Sequence, residues 1–442
     1  MKRFAYILTT LFLFPVFALA SEEGAHHAVE FPIWSGIFFV ALLLSIAVFP
    51  LINSEWWGKR YGYVSLFLAI PAAVIIIMKE KILLVHTITE YVSFIILLGS
   101  LFIISGGIVI RIGTNGAAKI NTLLLFMGAF FASFIGTTGA SMVLIRPLLR
   151  INKWRKHIVH LCIFFIFLVS NIGGLLTPLG DPPLFLGFLR GVPFFWTFKL
   201  ITIWAFAVGI LLFLFFMLDN HFMKKEDRDK LAEALGELPE KKLEIRGKIN
   251  FLLLLVVIIS FFVPPIVREA MMIAAALASI YFTPVQLREE NAFTYHPIIE
   301  VAILFAGIFV TMVPVMQMLQ MNGSKLGITE PWQFFWASGT LSSFLDNAPT
   351  YLVFTTTAQS VAQFKGITDH LIIGVPEIYL RAVSVGAVFM GANTYVGNGP
   401  NFMVKAICEE NDIKMPSFFG YMAWSCGILV PLFILITFVF FR

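Results

Sequence analysis

The sequence predicts an all-α polytopic membrane protein built from two inverted repeats, each with five transmembrane helices and one re-entrant helical hairpin. Of its 442 residues, 59% are hydrophobic and 13% are charged, and the mean hydropathy is +0.89. Soluble domains are far more polar. Apolar runs of 17 to 24 residues recur along the chain, and about 20 such residues cross the hydrocarbon core of a bilayer. The lipid bilayer is therefore the expected surrounding of this chain.

The order of the apolar segments predicts the repeats. Each half has three spans, one stretch interrupted by glycine and polar residues, and two more spans. The halves cover residues 34–217 and 249–441, with interrupted stretches at about 119–148 and 332–360. If these stretches are hairpins, each half crosses five times, and an odd number of crossings inverts the second half. The predicted spans are 34–52, 62–78, 92–110, 158–178, 197–217, 249–265, 270–283, 297–319, 373–396 and 417–441.

Basic residues favour one side of this topology. The side that includes the charged linker 218–248 holds 20 Lys and Arg residues, and the opposite side holds nine. Cytoplasmic loops carry the excess of positive charge in membrane proteins. The linker is therefore predicted to be cytoplasmic, and the opposite side is called the outer side below.

The N-terminus has the pattern of a signal peptide at residues 1–20. A basic start, Met1-Lys2-Arg3, is followed by an apolar run, and Ala18-Leu19-Ala20 forms a small-residue cleavage site before Ser21. An uncleaved first span is the alternative. The predicted mature chain would begin on the outer side of the membrane.

Two short motifs recur at nearly one spacing. SFIGTT at 133–138 matches SFLDNA at 343–348, and TPLGDPP at 177–183 matches TYVGNGP at 394–400, at offsets of 210 and 217. Gly, Pro, Asn, Thr and Asp break helices and expose polar groups that lipid cannot satisfy. Helix ends that meet in such a cavity offer oriented dipoles to ions. The four motifs therefore predict one site with pseudo-two-fold symmetry.

Asp181 and Asp346 are the most informative residues of these motifs, because a carboxylate inside the membrane marks an ion or proton path by default. They are predicted to bind a transported monovalent cation, Na⁺ or Li⁺, and a proton in turn. A helix cap or turn before Pro182 is the alternative role for Asp181. The predicted neutral ligands are Thr137, Thr138, Asn171, Thr177, Asn347, Asn393, Thr394 and Asn398.

The charge of the motifs bears on the substrate. None of the four contains a basic residue, whereas carboxylates are usually held by Arg or Lys. A cation is therefore favoured over citrate or another carboxylate, although a carboxylate held by Asn and Thr together with sodium stays open. The sequence has no enzyme motif and no nucleotide-binding loop. No enzyme activity, cofactor or nucleic-acid partner is predicted.

The strings NIGGLLTPLGDPP at 171–183 and FLDNAPT at 344–350 resemble the ion-transporter superfamily. The sequence is most similar to NhaD-type sodium/proton antiporters and to a bacterial subgroup described as citrate-transporter-like. The resemblance covers about residues 34–441. It implies inverted repeats with hairpins, a scaffold part and a moving part, a homodimer, and a multi-pass location in the bacterial inner membrane. The Ser-Asn-Thr hairpin tip of dicarboxylate carriers is replaced by Gly136-Thr137-Thr138 and Asp346-Asn347-Ala348, which suits the antiporters.

Na⁺ (or Li⁺)/H⁺ exchange is thus the leading hypothesis from the sequence. Sodium-coupled uptake of citrate, another carboxylate or another anion is the second. A membrane subunit that transports nothing is the third, and it predicts that both aspartates can be replaced without loss of function.

Overall fold

The computed structural model describes residues 29–114, 116–226 and 243–442. The predicted signal peptide lies outside these residues, as does the middle of the predicted linker.

The described chain is mostly helical, as the sequence predicts. The helices are α1 (Ile37–Ile52), α2 (Ser54–Ser105), α3 (Ala118–Ile135), α4 (Thr137–Ile151), α5 (Val159–Leu168), α6 (Pro182–Leu189), α7 (Ile201–Met223), α8 (Ile249–Ser260), α9 (Pro265–Phe282), α10 (Val285–Glu290), α11 (His296–Asn322), α12 (Pro331–Phe344), α13 (Asn347–Lys365), α14 (Glu377–Met390), α15 (Gly399–Glu410) and α16 (Phe418–Phe440). Five 3-10 helices lie at Ile33–Gly36, Ile172–Leu176, Phe194–Leu200, Gly323–Leu326 and Gly391–Asn393.

Eight helical stretches of the described residues are long and apolar enough to cross a membrane. One of them is most of α2, whose 52 residues would extend about 78 Å, more than two bilayer cores. Non-helical backbone at Glu80, with φ −159° and ψ 95°, divides α2 into two parts. These two parts correspond to the second and third predicted spans.

Both interrupted stretches are broken in the structure. Gly136, at φ 78°, separates α3 from α4, and such a backbone conformation favours glycine. In the second stretch Asp346 precedes α13 and caps it, because its Oδ1 accepts a hydrogen bond of 3.0 Å from the Ala348 amide. Helices α3 and α4 pack against each other, as do α12 and α13. That each pair re-enters on its own side of the membrane stays a prediction.

The end of the third predicted span is wrong. Helix α2 ends at Ser105, and residues 109–112 form strand β1, which pairs antiparallel with β2 (Leu243–Arg246). The Gly106-Gly107 pair ends the helix, and a side chain at 107 would lie 2.5 Å from Asn250. A second short ladder joins β3 (Leu371–Ile372) to β4 (Val375–Pro376). The all-α prediction therefore omits two small sheets.

Proline accounts for two further differences from the predicted spans. The break between the spans 249–265 and 270–283 lies earlier than predicted, because Pro265 begins α9 and proline is favoured in the first helical turn. The short helices α6 and α15 were not predicted as separate elements. Each begins with proline in its first turn, directly after Asp181 or Asn398.

Two charged clusters stabilise the predicted cytoplasmic side. Arg111 of β1 donates two hydrogen bonds, of 2.8 and 2.9 Å, to Glu290, and this contact holds the pKa of the Glu290 carboxyl below its usual range. In the other cluster, Asp219 of α7 contacts Arg155 at 2.5 Å and His160 at 2.8 Å, all fully or nearly fully buried. Asn121 of α3 donates to the same carboxylate at 3.0 Å. The second cluster fixes α3, α5 and α7 to one another.

The core surrounds α5 and the 3-10 turn after it. In the segment Val159–Leu176, 94% of the residues are buried inside the protein, whereas surface helices such as α1 and α16 bury few. Residues of α14 are likewise buried from Tyr379 to Met390, with one exception, Arg381. The two central segments end in the broken motifs, which places the motifs in the interior.

Candidate functional site

The carboxylate of Asp181 lies at the centre of the candidate site. Asp181 is 1% exposed. Its Oδ1 accepts hydrogen bonds from the Thr137 hydroxyl at 2.9 Å and from Asn398 Nδ2 at 3.1 Å, and its Oδ2 accepts a short hydrogen bond from Asn347 Nδ2. The three donors come from the other three motifs. The structure therefore brings all four motifs together at one carboxylate.

Helix starts position these groups. Thr137 and Asn347 are the first residues of α4 and α13, and Asp181 and Asn398 directly precede α6 and α15. Backbone N–H groups at helix starts lack helical partners, so such positions are suited to polar side chains and ions. Four helices thus begin around one point.

In the first half of the chain, hydroxyl groups hold the broken segments together. The Ser133 hydroxyl donates to the Gly173 carbonyl at 2.5 Å. The Thr177 hydroxyl donates a short hydrogen bond to the Ser133 carbonyl and accepts one of 3.1 Å from the Leu179 amide. Broken helices inside a membrane need such partners for their backbone groups.

The second half repeats these contacts. The Ser343 hydroxyl donates to the Met390 carbonyl at 3.0 Å. The Thr394 hydroxyl donates a short hydrogen bond to the Ser343 carbonyl and accepts one of 3.2 Å from the Val396 amide. The hydroxyls of Thr177 and Thr394 are thus both donors and acceptors within this framework. Their predicted role as ion ligands stays a prediction.

A row of asparagines joins the two halves behind Asp181. Asn171 Nδ2 donates to Asn401 Oδ1 at 2.7 Å and to the Ile166 carbonyl at 2.8 Å, and its Oδ1 accepts from Asn398 at 3.3 Å. Asn401 in turn donates to two backbone carbonyls of the second break, at 2.8 and 2.9 Å. Asn171 therefore contacts Asn398, which in turn contacts Asp181.

Two buried amide oxygens of the broken segments have no hydrogen-bond donor among the described residues. They are Oδ1 of Asn347, whose Nδ2 contacts Asp181, and Oδ1 of Asn393, whose Nδ2 donates to Ser343 at 2.9 Å. A buried acceptor without a donor is costly. A cation or a water molecule would supply the missing interaction.

Asp346 and Thr138 lie at the two helix breaks and are partly exposed. Beyond its cap to Ala348, the Asp346 carboxylate has no hydrogen bond to a described residue, and it is near enough to Asp181 for the two charges to interact. The Thr138 side chain makes no hydrogen bond within the described part of the chain. Both groups have oxygens free to contact an ion.

Among the described residues, neither aspartate accepts a hydrogen bond from a basic side chain. A desolvated carboxylate without a positive partner is stable only if it is protonated or if a cation binds to it. A carboxylate in these surroundings can hold either a proton or a small cation.

Sequence reasoning missed Asn401, Ser133 and Ser343 as parts of this site. The two serines are the first residues of the matching motifs SFIGTT and SFLDNA, and this equal position was a usable signal. Asn401 directly follows the motif TYVGNGP, and the equivalent position in the first half is Leu184, so no matching polar residue points to it. Nothing in the spacing of the motifs indicates it.

Comparison with known proteins gives one family. A family model described as "Putative citrate transport" matches residues 28–441. No curated protein matches the chain. The matched range covers all four motifs and the complete site around Asp181. The chain therefore belongs to this citrate-transport family and is a multi-pass membrane protein of a secondary-transporter type.

Proposed function

We propose that the protein exchanges Na⁺ or Li⁺ for H⁺ across the bacterial inner membrane, with Asp181 as the group that binds both ions in turn. The observation that carries this proposal is the fully buried Asp181 carboxylate, which has three neutral donors and no basic partner among the described residues. Such a group must be neutralised by a proton or a cation. Exchange follows if the two compete for the same oxygens.

The surroundings of Asp181 supply the further ligands. Oδ1 of Asn347, the residue whose amide group donates to Asp181, lacks a donor, and Asp346 has one carboxylate oxygen that accepts no hydrogen bond from a described residue. Na⁺ and Li⁺ prefer oxygen ligands, as other hard cations do. When a cation leaves, protonation of Asp181 would keep the site neutral while it faces away from water. An empty, charged site would be costly to carry through the membrane, and this cost would couple the two fluxes.

The proposed transport cycle relies on the repeats. The two sets of hydroxyl contacts, at Ser133 and Ser343, are equivalent at an offset of 210. Asp181 and Asn398 are equivalent at an offset of 217 and contact each other at 3.1 Å. These equivalences support two inverted repeats around the site, with two re-entrant hairpins. A homodimer is the proposed assembly, by the resemblance described above.

Sodium-coupled uptake of citrate or another carboxylate is a second candidate, because the family description favours it. In that case Asp181 would hold the coupling cation, and the carboxylate would bind beside it. The Asn amide groups nearest to Asp181 already donate to protein acceptors. A carboxylate would have to displace these contacts, which is why cation exchange is preferred.

Proteoliposomes that contain the purified protein distinguish the two candidates. With an imposed pH gradient, we expect external NaCl or LiCl to dissipate the gradient, whereas KCl and choline chloride have little effect. Labelled citrate should not accumulate in response to a sodium gradient. Sodium-dependent accumulation of citrate, without any cation-dependent proton movement, would assign the protein to the carboxylate carriers instead.

A further inference from the structure

A second polar position lies away from Asp181, at the other end of the same short helix. A cavity of about 170 Å³ opens between α2, α11 and the end of α6. Its polar lining includes Thr87, Glu90, Arg190 and Gln317, and the rest of its lining is mainly apolar. The charge distribution of the sequence assigns this end of α6 to the outer side.

Arg190 and Glu90 form an ion pair at the edge of this cavity. Arg190 Nη2 lies 3.3 Å from Glu90 Oε2, and the two side chains are 28% and 31% exposed. The contact is a single one, not the two-bonded arrangement that makes arginine–carboxylate pairs strong. A partly exposed ion pair with a single contact contributes little to stability. It can therefore break and form again at low cost.

Arg190 is rigidly connected to the ion site. Helix α6 has eight residues and spans about 12 Å, with Asp181 before its first residue and Arg190 after its last. Gly187 of α6 packs on Tyr351 so closely that a side-chain carbon at 187 would lie 2.4 Å from the hydroxyl oxygen. Tyr351 lies one turn after Asn347 on α13. A movement of Arg190 would thus move Asp181 and its ligands together.

Glu90 belongs to a different group of helices. Its neighbours on α2 donate hydrogen bonds to α11 and α9, namely Tyr91 to the Ala302 carbonyl at 2.8 Å and Ser93 to Glu269 at 2.8 Å. An apolar contact also joins α2 and α6, a stacked pair of Phe94 and Phe185 with ring centroids 6.4 Å apart. The ion pair is a polar side-chain link between α2 and the end of α6.

We propose that Glu90 and Arg190 are positioning residues that hold the outer end of α6 against α2 in one state of the transport cycle, and that this pair opens when the ion site becomes accessible from the outer side. The inference rests on the proposed transport function. Neither residue contacts the transported ion. Without the pair, the closed state loses a specific contact, so the balance between the two states shifts.

Charge variants test the pair. We expect Glu90→Gln and Arg190→Gln to lower the transport rate in proteoliposomes about fivefold or more, while Na⁺ binding to the purified protein changes less than twofold. The exchanged double variant, Glu90→Arg with Arg190→Glu, should recover to within about twofold of the wild type. The control is Lys199→Gln, which removes an ion pair of 3.0 Å with Glu377 on the predicted outer side and should leave the rate unchanged.

A cleavable cross-link tests the opening directly. In a Cys426→Ser background, Glu90→Cys and Arg190→Cys would be joined by a bifunctional thiol reagent that a reductant releases, since Cys162 and Cys408 are buried. We expect the linked protein to be inactive and the reduced protein to regain the rate of the unlinked variant. Each single-cysteine variant treated with the same reagent is the control.

The inference is overturned if the linked protein transports as fast as the reduced one, or if the exchanged double variant stays as slow as the single variants. Unchanged single variants would overturn it as well. These outcomes require a wild type that transports Na⁺ or citrate in the same vesicles. A wild type that moves neither solute contradicts the proposed function and is thereby distinguished from a failure of the ion pair.

Discussion

Asp181→Asn is expected to lower the rate of Na⁺-dependent proton movement about 100-fold or more, while the protein still folds. The substitution keeps the size of the side chain and removes its charge. Contacts to a charged group contribute up to about 3 kcal/mol, a factor of about 100 in affinity. Asparagine also offers one acceptor where Asp181 accepts three hydrogen bonds. The rate of pH-gradient dissipation in proteoliposomes measures this effect.

The matched control for this variant is Asp369→Asn. Asp369 is exposed in the segment between α13 and β3, so the same chemical change there should leave transport within about twofold of the wild type, as surface substitutions usually do. If Asp181→Asn transports like this control, the charge of the carboxylate is not needed, and its role would be limited to holding Thr137, Asn347 and Asn398 in place.

Gly180→Ala destabilises the protein by about 3 kcal/mol or more and prevents formation of the site, because an added carbon overpacks a fully occupied position. A side-chain carbon at 180 would lie 2.1 Å from the Gly174 carbonyl oxygen and 2.7 Å from its carbonyl carbon. Both are backbone atoms and cannot rotate away. The Gly180 carbonyl also accepts a hydrogen bond of 2.8 Å from the Thr137 amide, so a shift here displaces Thr137 from Asp181.

Gly397→Ala should have a similar effect, since its added carbon would lie 2.5 Å from the Gly391 carbonyl oxygen. Gly209→Ala is the control, because nothing lies within 4 Å of that position and alanine favours a helix. Thermal unfolding of the purified variants, followed by tryptophan fluorescence, compares the three. Melting of Gly180→Ala at the wild-type temperature would show that the break can rearrange without cost.

The site could be predicted from the sequence because polar groups are costly in lipid and are therefore rare there without a function. An aspartate between apolar spans, as at Asp181, has few explanations other than an ion path or a cap. The structure places Thr137, Asn347 and Asn398 at its oxygens, so the four motifs meet as their symmetry suggests. That these residues bind ions stays a prediction.

Other features depend on packing that a single sequence does not express. Asn347 reaches Asp181 from 166 positions away along the chain, because α13 packs against α6. The hydroxyls of Thr177 and Thr394 appear in the sequence as free oxygens, yet they bond to carbonyls that become exposed only where the helices break. The first two residues of strand β1, Val109 and Ile110, were assigned to the end of a span since they are apolar, and the partner strand β2 lies at the far end of the linker.

The central claim is that Na⁺ and H⁺ compete for Asp181. Simultaneous measurement of Na⁺ binding and proton release tests this claim most directly. Purified protein in weakly buffered detergent solution would be titrated with NaCl at several pH values. We expect about one proton released per Na⁺ bound, weaker binding at lower pH, and neither response in Asp181→Asn. Na⁺ binding that releases no proton and does not depend on pH would contradict it.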